Sequence, residues 1–223
     1  MIIHIHQTTA NIFQKFELFY NRAFQYYGQL GTASKYQKIE MFNEQQNQCF
    51  TADYTPSHWT NYIPLRYLFG SPNLTRGCDC KCNDVDIGFF LLSQHGYAKS
   101  FYVITHRETD SVLHVYKIAK GSFEYLCIYS GDVQIGLVEC SLNRKNKCNN
   151  YKVYLLDAYQ SYADLLSLFV LYYDNWNHTE RFSVYIGHEY VKSFTLAGYK
   201  EKYNPNWREA HFPGEHYDEE YLP

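Results

Sequence analysis

The sequence predicts a mainly β protein: a closed antiparallel β-barrel enclosing a central hydrophobic α-helix, with an irregular insertion and a C-terminal extension. Three observations carry this expectation. Short stretches of alternating apolar and polar residues recur with turn signals at roughly 8 to 12 residue spacing, as in sandwiches and barrels. A single segment, Leu165 to Tyr173, is apolar or aromatic on nearly every side. The composition supplies enough to bury, with 46% hydrophobic residues and 24 Tyr and 15 Phe among 223 residues, which excludes a disordered chain.

The strands come first. His4 and His6 fall on one face of a first extended segment. Phe16, Leu18 and Tyr20 then share a face, Asn21-Arg22 offers a turn, and Phe24, Tyr26 and Gly28 resume the period of two, which reads as a β-hairpin. Ser111 to Ile118 repeats the pattern. Phe123, Tyr125, Cys127 and Tyr129 alternate up to the turn-forming Ser130-Gly131-Asp132, and further strands follow at Val133 to Leu137 and Tyr151 to Leu155. Phe42 to Asp86 differs: Pro56, Pro64, Pro72, Gly70 and Gly77 interrupt it and no period is sustained, so it reads as an irregular insertion with short elements inside, around Ile63 to Phe69.

The helix is expected near 161–177. Ser161 followed by Asp164 resembles a capping box, and Asp157, Asp164 and Asp174 read as flanking or capping groups. Its apolar body leaves no face for water. Roughly 16 residues at ~1.5 Å each reach about 24 Å, short of the ~30 Å hydrocarbon layer, so the segment is better wrapped by protein than by lipid. Short strands are the wrapping material at hand. Beyond it, Phe182 to Ile186 reads as a closing strand, and residues 187–223 as an extension ending in an acidic, Tyr-containing tail from Glu215 to Tyr221. The organisation expected is a barrel over 1–186 and an extension over 187–223.

A formal charge of -3 from 20 basic and 23 acidic side chains disfavours a broad electrostatic grip on nucleic acid. Met1 to Gln7 carry neither a basic n-region nor a long apolar stretch, and no uncharged apolar run is long enough to span a bilayer, so a soluble cytoplasmic protein is expected. The seven cysteines are an odd number without the regular pairing of a disulfide framework, which makes free thiols the default.

Gly131-Asp132-Val133-Gln134-Ile135-Gly136, Tyr151-Lys152-Val153-Tyr154 and the apolar helix ending in Tyr173-Asp174 occur in an order that resembles the tubby C-terminal-like superfamily, which includes the phospholipid scramblases and LURP-one-related proteins. Phe16 to Gly31 looks like one of the early strand pairs of that superfamily, and the resemblance covers about Ile2 to Ile186. It implies a twelve-stranded barrel around a hydrophobic helix, and binding of lipid headgroups at a basic surface rather than catalysis. The longer Phe42 to Asp86 region and the continuation past Phe182 depart from the pattern.

Candidate site residues follow from chemistry. Arg144, Lys145 and Lys147 place three cations in five residues between two strands and could engage phosphate, although the same run fits a solvated turn. Cys78, Cys80 and Cys82 could share a metal ion with Cys49 or His95, but structural zinc sites favour two or more residues between paired cysteines; on a strand the three would share one face, which also fits redox pairing or chance clustering. His188 to Lys192 has lysine where a metalloprotease helix needs its second histidine. His4 and His6 can face a shared metal but equally fit an ordinary strand. The expected function is a non-enzymatic tubby-like binding module for a phosphoinositide or other anionic lipid headgroup, or for a protein partner, with no cofactor and no transmembrane span. The alternatives are a metal- or thiol-dependent enzyme using Cys78 to Cys82, and a protein-interaction scaffold.

Overall fold

A computed structural model describes residues 1–10, 13–31, 38–55, 73–95, 99–120, 123–142, 148–177 and 199–215. Twelve antiparallel strands, Ile2–Ala10 (β1), Phe13–Tyr20 (β2), Ala23–Gly31 (β3), Ile39–Phe42 (β4), Gln48–Tyr54 (β5), Asn73–Cys82 (β6), Val85–His95 (β7), Lys99–His106 (β8), Ser111–Lys120 (β9), Phe123–Ser130 (β10), Val133–Leu142 (β11) and Asn149–Leu155 (β12), form one closed barrel. Each strand pairs with its neighbours in sequence, and the barrel shuts where β1 meets β12, with Ile3 opposite Val153 and Ile5 opposite Tyr151.

Alternation sets which side chains face inward. In β1, Ile3, Ile5 and Gln7 are buried while His4 and His6 sit on the outer face; in β2, Phe16 and Leu18 are buried. The Asn21-Arg22 turn has both residues at positive φ, 46° and 72°, as a two-residue turn between right-twisted strands requires. Asn83-Asp84 repeats this geometry at 46° and 66°.

Twelve strands enclose an interior too wide for wall side chains alone to fill. It is filled by the helix Ala163–Asn177 (α1), which follows a 3-10 segment at Asp157–Tyr162. Leu166, Leu168, Phe169, Val170, Leu171, Tyr172 and Tyr173 are fully buried. Phe169 packs edge-on against Phe90 and Tyr102, and Tyr172 stacks near Tyr54, so several sides of the helix meet wall. The helix comes so close to the wall that a Cβ at Gly28 would lie 2.7 Å from Leu171 Cδ1, and one at Gly88 would lie 3.3 Å from Leu165 Cδ1. The central helix sheathed by sheet is therefore as the sequence predicts.

The stretch 42–86 is less irregular than its composition suggests, because β5 and β6 run through it. β6 hides its strand character by using Cys78 and Cys80 as its inward-facing hydrophobes, both fully buried. Residues 56–72, including Ile63 to Phe69, lie outside the described residues, as do Phe182 to Ile186 and the tail after Glu215.

Residues 199–215 form a strap over the outer wall of β8 to β12. It contains a short 3-10 turn at Lys200–Lys202 and a helix at Trp207–His211 (α2). Tyr199 lies on Tyr116 at 4.8 Å, Tyr203 on Tyr125 at 5.0 Å and Phe212 on Tyr154 at 5.3 Å between ring centres. Trp207 is buried and its indole N–H donates to the Gln134 carbonyl at 3.2 Å.

Candidate functional site

The two ends of the helix carry one carboxylate each, and the barrel supplies the partners of both. Near the start, the half-buried Asp164 accepts a hydrogen bond from the Tyr20 hydroxyl at 2.8 Å, and Tyr20 also meets the Ser167 hydroxyl at 2.9 Å. Burial pushes the Asp164 carboxyl above its ordinary range, opposed by the hydroxyls of Tyr20 and Tyr26. Near the end, Asp174 is fully buried and accepts from the Asn149 amide at 2.7 Å and from the Tyr151 hydroxyl. Asp157 pairs with the N-terminal amine of Met1 at 2.7 Å. The three carboxylates flank the helix as expected, with Asp157 and Asp164 in first turns, and the structure adds partners on β2 and β12 and at the N-terminus beside β1, because a helix inside a barrel has wall hydroxyls within reach. The signal for Asp164 and Asp174 was present in the sequence, where a lysine-free apolar helix with two carboxylates sits in a chain rich in Tyr.

Several more polar groups gather where the helix ends. Tyr173 donates to Glu124, which also pairs with Lys117 at 2.8 Å. Asn175 donates to the Tyr54 hydroxyl at 2.7 Å, Asn177 donates to the Tyr102 hydroxyl at 2.9 Å, and the Arg76 guanidinium lies 4.4 Å from the Trp176 ring centre.

The thiols are placed for packing. Cys78, Cys80 and Cys82 do share the inward face expected of their spacing, with Cys82 half-buried beside the core. Burial pushes the Cys78 and Cys80 thiols far up, and Cys82 up as well, which opposes thiolate formation. Cys80 donates weakly to the Cys78 carbonyl at 3.8 Å, and Cys49 to the Asn47 carbonyl at 3.4 Å. Among the described residues no three His, Cys, Asp or Glu side chains are grouped to hold a metal ion. The side chain of His95 and all of His188 to Lys192 lie outside the described residues.

His4 and His6 stack at 6.1 Å on the outer wall, and His6 meets the Asn150 side-chain oxygen at 3.2 Å. Burial, then the neighbouring Lys152, pushes His4 down to about 4. The rings of His6, Phe19, Phe24 and Tyr27 continue this line across β1 to β3.

Arg144, Lys145 and Lys147 lie outside the described residues, but the strands flanking them fix the rim from which that connection leaves. Strands alternate in direction, so six strand-to-strand connections leave from the rim where the helix ends, 11–12, 32–38, 55–72, 96–98, 121–122 and 143–148, and the chain after the helix, 178–198, leaves from it as well. The six strand-to-strand connections contain Lys35, Lys38, Arg66, Arg144, Lys145 and Lys147 and no carboxylate, while 178–198 contains Arg181 and Lys192 with Glu180 and Glu189. The connections at the opposite rim, where the helix starts, contain Glu44, Asp84, Glu108, Asp110, Asp132 and Asp157 against only Arg22 and Arg107. The sequences of the strand-to-strand connections are thus basic at one rim and mainly acidic at the other, although the net charge of the chain is small. In comparisons with protein-family models, curated proteins and solved structures, nothing matches this chain. No helix among the described residues is long and apolar enough to cross a membrane.

Proposed function

We propose that this chain is a non-enzymatic binding barrel of the tubby-like kind, which takes an anionic lipid headgroup at the rim where the helix ends, with Arg144, Lys145 and Lys147 as the principal phosphate contacts. The observation that carries this reading is the segregation of charge. Six cations and no carboxylate fall in the sequences of the strand-to-strand connections of one rim, a composition that would raise the local concentration of anions without requiring a basic protein overall. The packed interior supports it as well. A core filled by α1 leaves the rims and the outer wall as the places where a ligand is met. Chemistry at the thiols is disfavoured by the burial of Cys78 and Cys80.

The test is co-sedimentation of the full chain with vesicles of phosphatidylcholine alone, with added phosphatidylserine, and with added phosphatidylinositol bisphosphate. Binding is expected only to the anionic vesicles, weakening as salt rises. It should fall at least about tenfold when Arg144, Lys145 and Lys147 are all changed to Glu, since phosphate contacts are charge-assisted. Competition by soluble inositol trisphosphate separates recognition of a headgroup from attraction to a charged surface. Equal sedimentation of the triple variant, or none of the unaltered chain, overturns the reading.

A further inference from the structure

Arg76 on β6 reaches the end of the helix. The strand breaks its register at this point: pairing with β7 shifts between Thr75 and Cys78, and Arg76 has a left-handed φ of 59°. A bulge of this kind re-aims a side chain, and it carries strain where the residue is not glycine. The helix holds Arg76 from both ends of the residue. The Tyr172 hydroxyl donates to its carbonyl at 2.9 Å, and its guanidinium carbon lies 4.4 Å from the centre of the Trp176 ring.

This half-buried guanidinium lacks a counter-charge among the described residues. Glu124 and Asp174, the carboxylates at this end of the helix, serve Lys117, Tyr173, Asn149 and Tyr151 instead. Arg107 and Arg208, by contrast, pair with Asp86 at 2.8 Å and with Glu139 at 3.1 Å. The charge of Arg76 is felt by its surroundings: burial pushes the hydroxyls of Tyr102, Tyr172 and Tyr54 up, and Arg76 acts against that at all three. A charge drawn partly out of water without a partner is unfavourable, and stacking on an indole offsets only part of that. Stacking occupies the flat face of the guanidinium. Its N–H edge, beside the Tyr102 hydroxyl, remains as a fork of donors that matches two oxygens of one phosphate.

We propose that Arg76 grips a phosphomonoester at the end of the helix, with the Trp176 ring as the platform that sets the direction of its donors. The proposal deepens the headgroup reading and rests on it for the lipid. The chemistry recognised is the phosphomonoester itself, carried by a lipid headgroup or by a free inositol phosphate. Cations in the rim's connections draw the anion in by summed charge, whereas Arg76 fixes one phosphate by geometry.

Calorimetric titration of the full chain with soluble inositol trisphosphate is the measurement, set beside co-sedimentation with phosphatidylserine-containing vesicles. The trisphosphate should bind, and its Kd should rise at least about tenfold in Arg76→Gln and in Arg76→Lys, because lysine keeps the charge and loses the fork. Sedimentation of Arg76→Lys should change by less than about twofold, since it depends on summed charge. An unchanged Kd in Arg76→Lys, or no binding of the trisphosphate by the unaltered chain, overturns the proposal. Equal losses of both readouts in Arg76→Lys overturn it too, as damage to the fold. A chain that binds the trisphosphate through Arg76 but sediments with no anionic vesicle supports the phosphate site and overturns the lipid reading alone. If Arg76→Gln does not fold, Arg76→Lys decides the matter, with its fold checked by circular dichroism.

Discussion

The two rims of the barrel solve the same problem by different means. Both must shut a wide sheet around a helix end without stranding polar groups. Where the helix starts, two-residue turns at Asn21-Arg22 and Asn83-Asp84 join strands tightly, the connections are acidic, and the carboxylate of Asp164 stays half-buried. Where it ends, Asp174 is taken wholly inside and met by an amide and a phenol, while the cations lie in the connections. One rim keeps its negative charge at the surface; the other holds it inside against hydrogen-bond donors and carries positive charge in its connections. Placing the phosphate-binding chemistry at the second rim follows from that difference.

The strongest way to break the comparison is Asp174→Ala. It leaves the Tyr151 hydroxyl and the Asn149 amide buried without their shared acceptor, at a cost of about 2–4 kcal/mol. Urea unfolding should show a lowered midpoint with an unchanged slope, because the fold of the native state is retained. A loss below about 0.5 kcal/mol would mean that Asp174 is not the group these donors depend on.

How much of this was legible from the sequence depends on the range of the interaction. The hairpin at Asn21-Arg22 and the alternation of Phe16 and Leu18 are local, and the strands lie where the pattern predicts. The helix is legible because Leu165 to Tyr173 has no polar face. β6 was hidden because its buried positions are cysteines and its sequence is broken by Gly77 and by Asp79 and Lys81 between the thiols. Asp164 and Asp174 flank the helix as read, but their barrel partners were not legible because they lie more than twenty residues away in the chain, beyond any capping pattern. The cationic rim was equally invisible in the linear sequence: its members run from Lys35 to Lys147, and only the strand order gathers them. Of that rim, only the local run at 144–147 could be seen beforehand.

A smaller effect comes from the outer wall, where the strap's last described residue meets β12. His4 has Lys152, His6, Arg22 and Glu215 around it, and burial with Lys152 holds it neutral down to about pH 4. The unfolded chain takes up that proton near pH 6.5, so the folded state loses stability as the pH falls between those values. After allowance for partial exposure this amounts to about 1 kcal/mol between pH 7.5 and 4.5. His4→Asn should flatten that part of the profile by the same amount. An unchanged pH dependence would show that the wall beside the strap does not exclude the proton.

The smallest effect sharpens the contrast between the two carboxylates. Burial holds the Asp164 carboxyl above its ordinary range, so the folded state keeps its proton where the unfolded chain has released it. Stability is therefore lost as the pH rises through that interval. Asp164→Asn removes the charge and keeps an oxygen to accept from Tyr20. It should raise stability at pH 7 by less than about 1 kcal/mol, and do nothing near pH 3, where the native carboxyl is already protonated. A marked destabilisation at pH 7 would place Asp164 with Asp174, as a charge whose barrel partners more than offset its burial, and the two rims would then differ in surface charge alone.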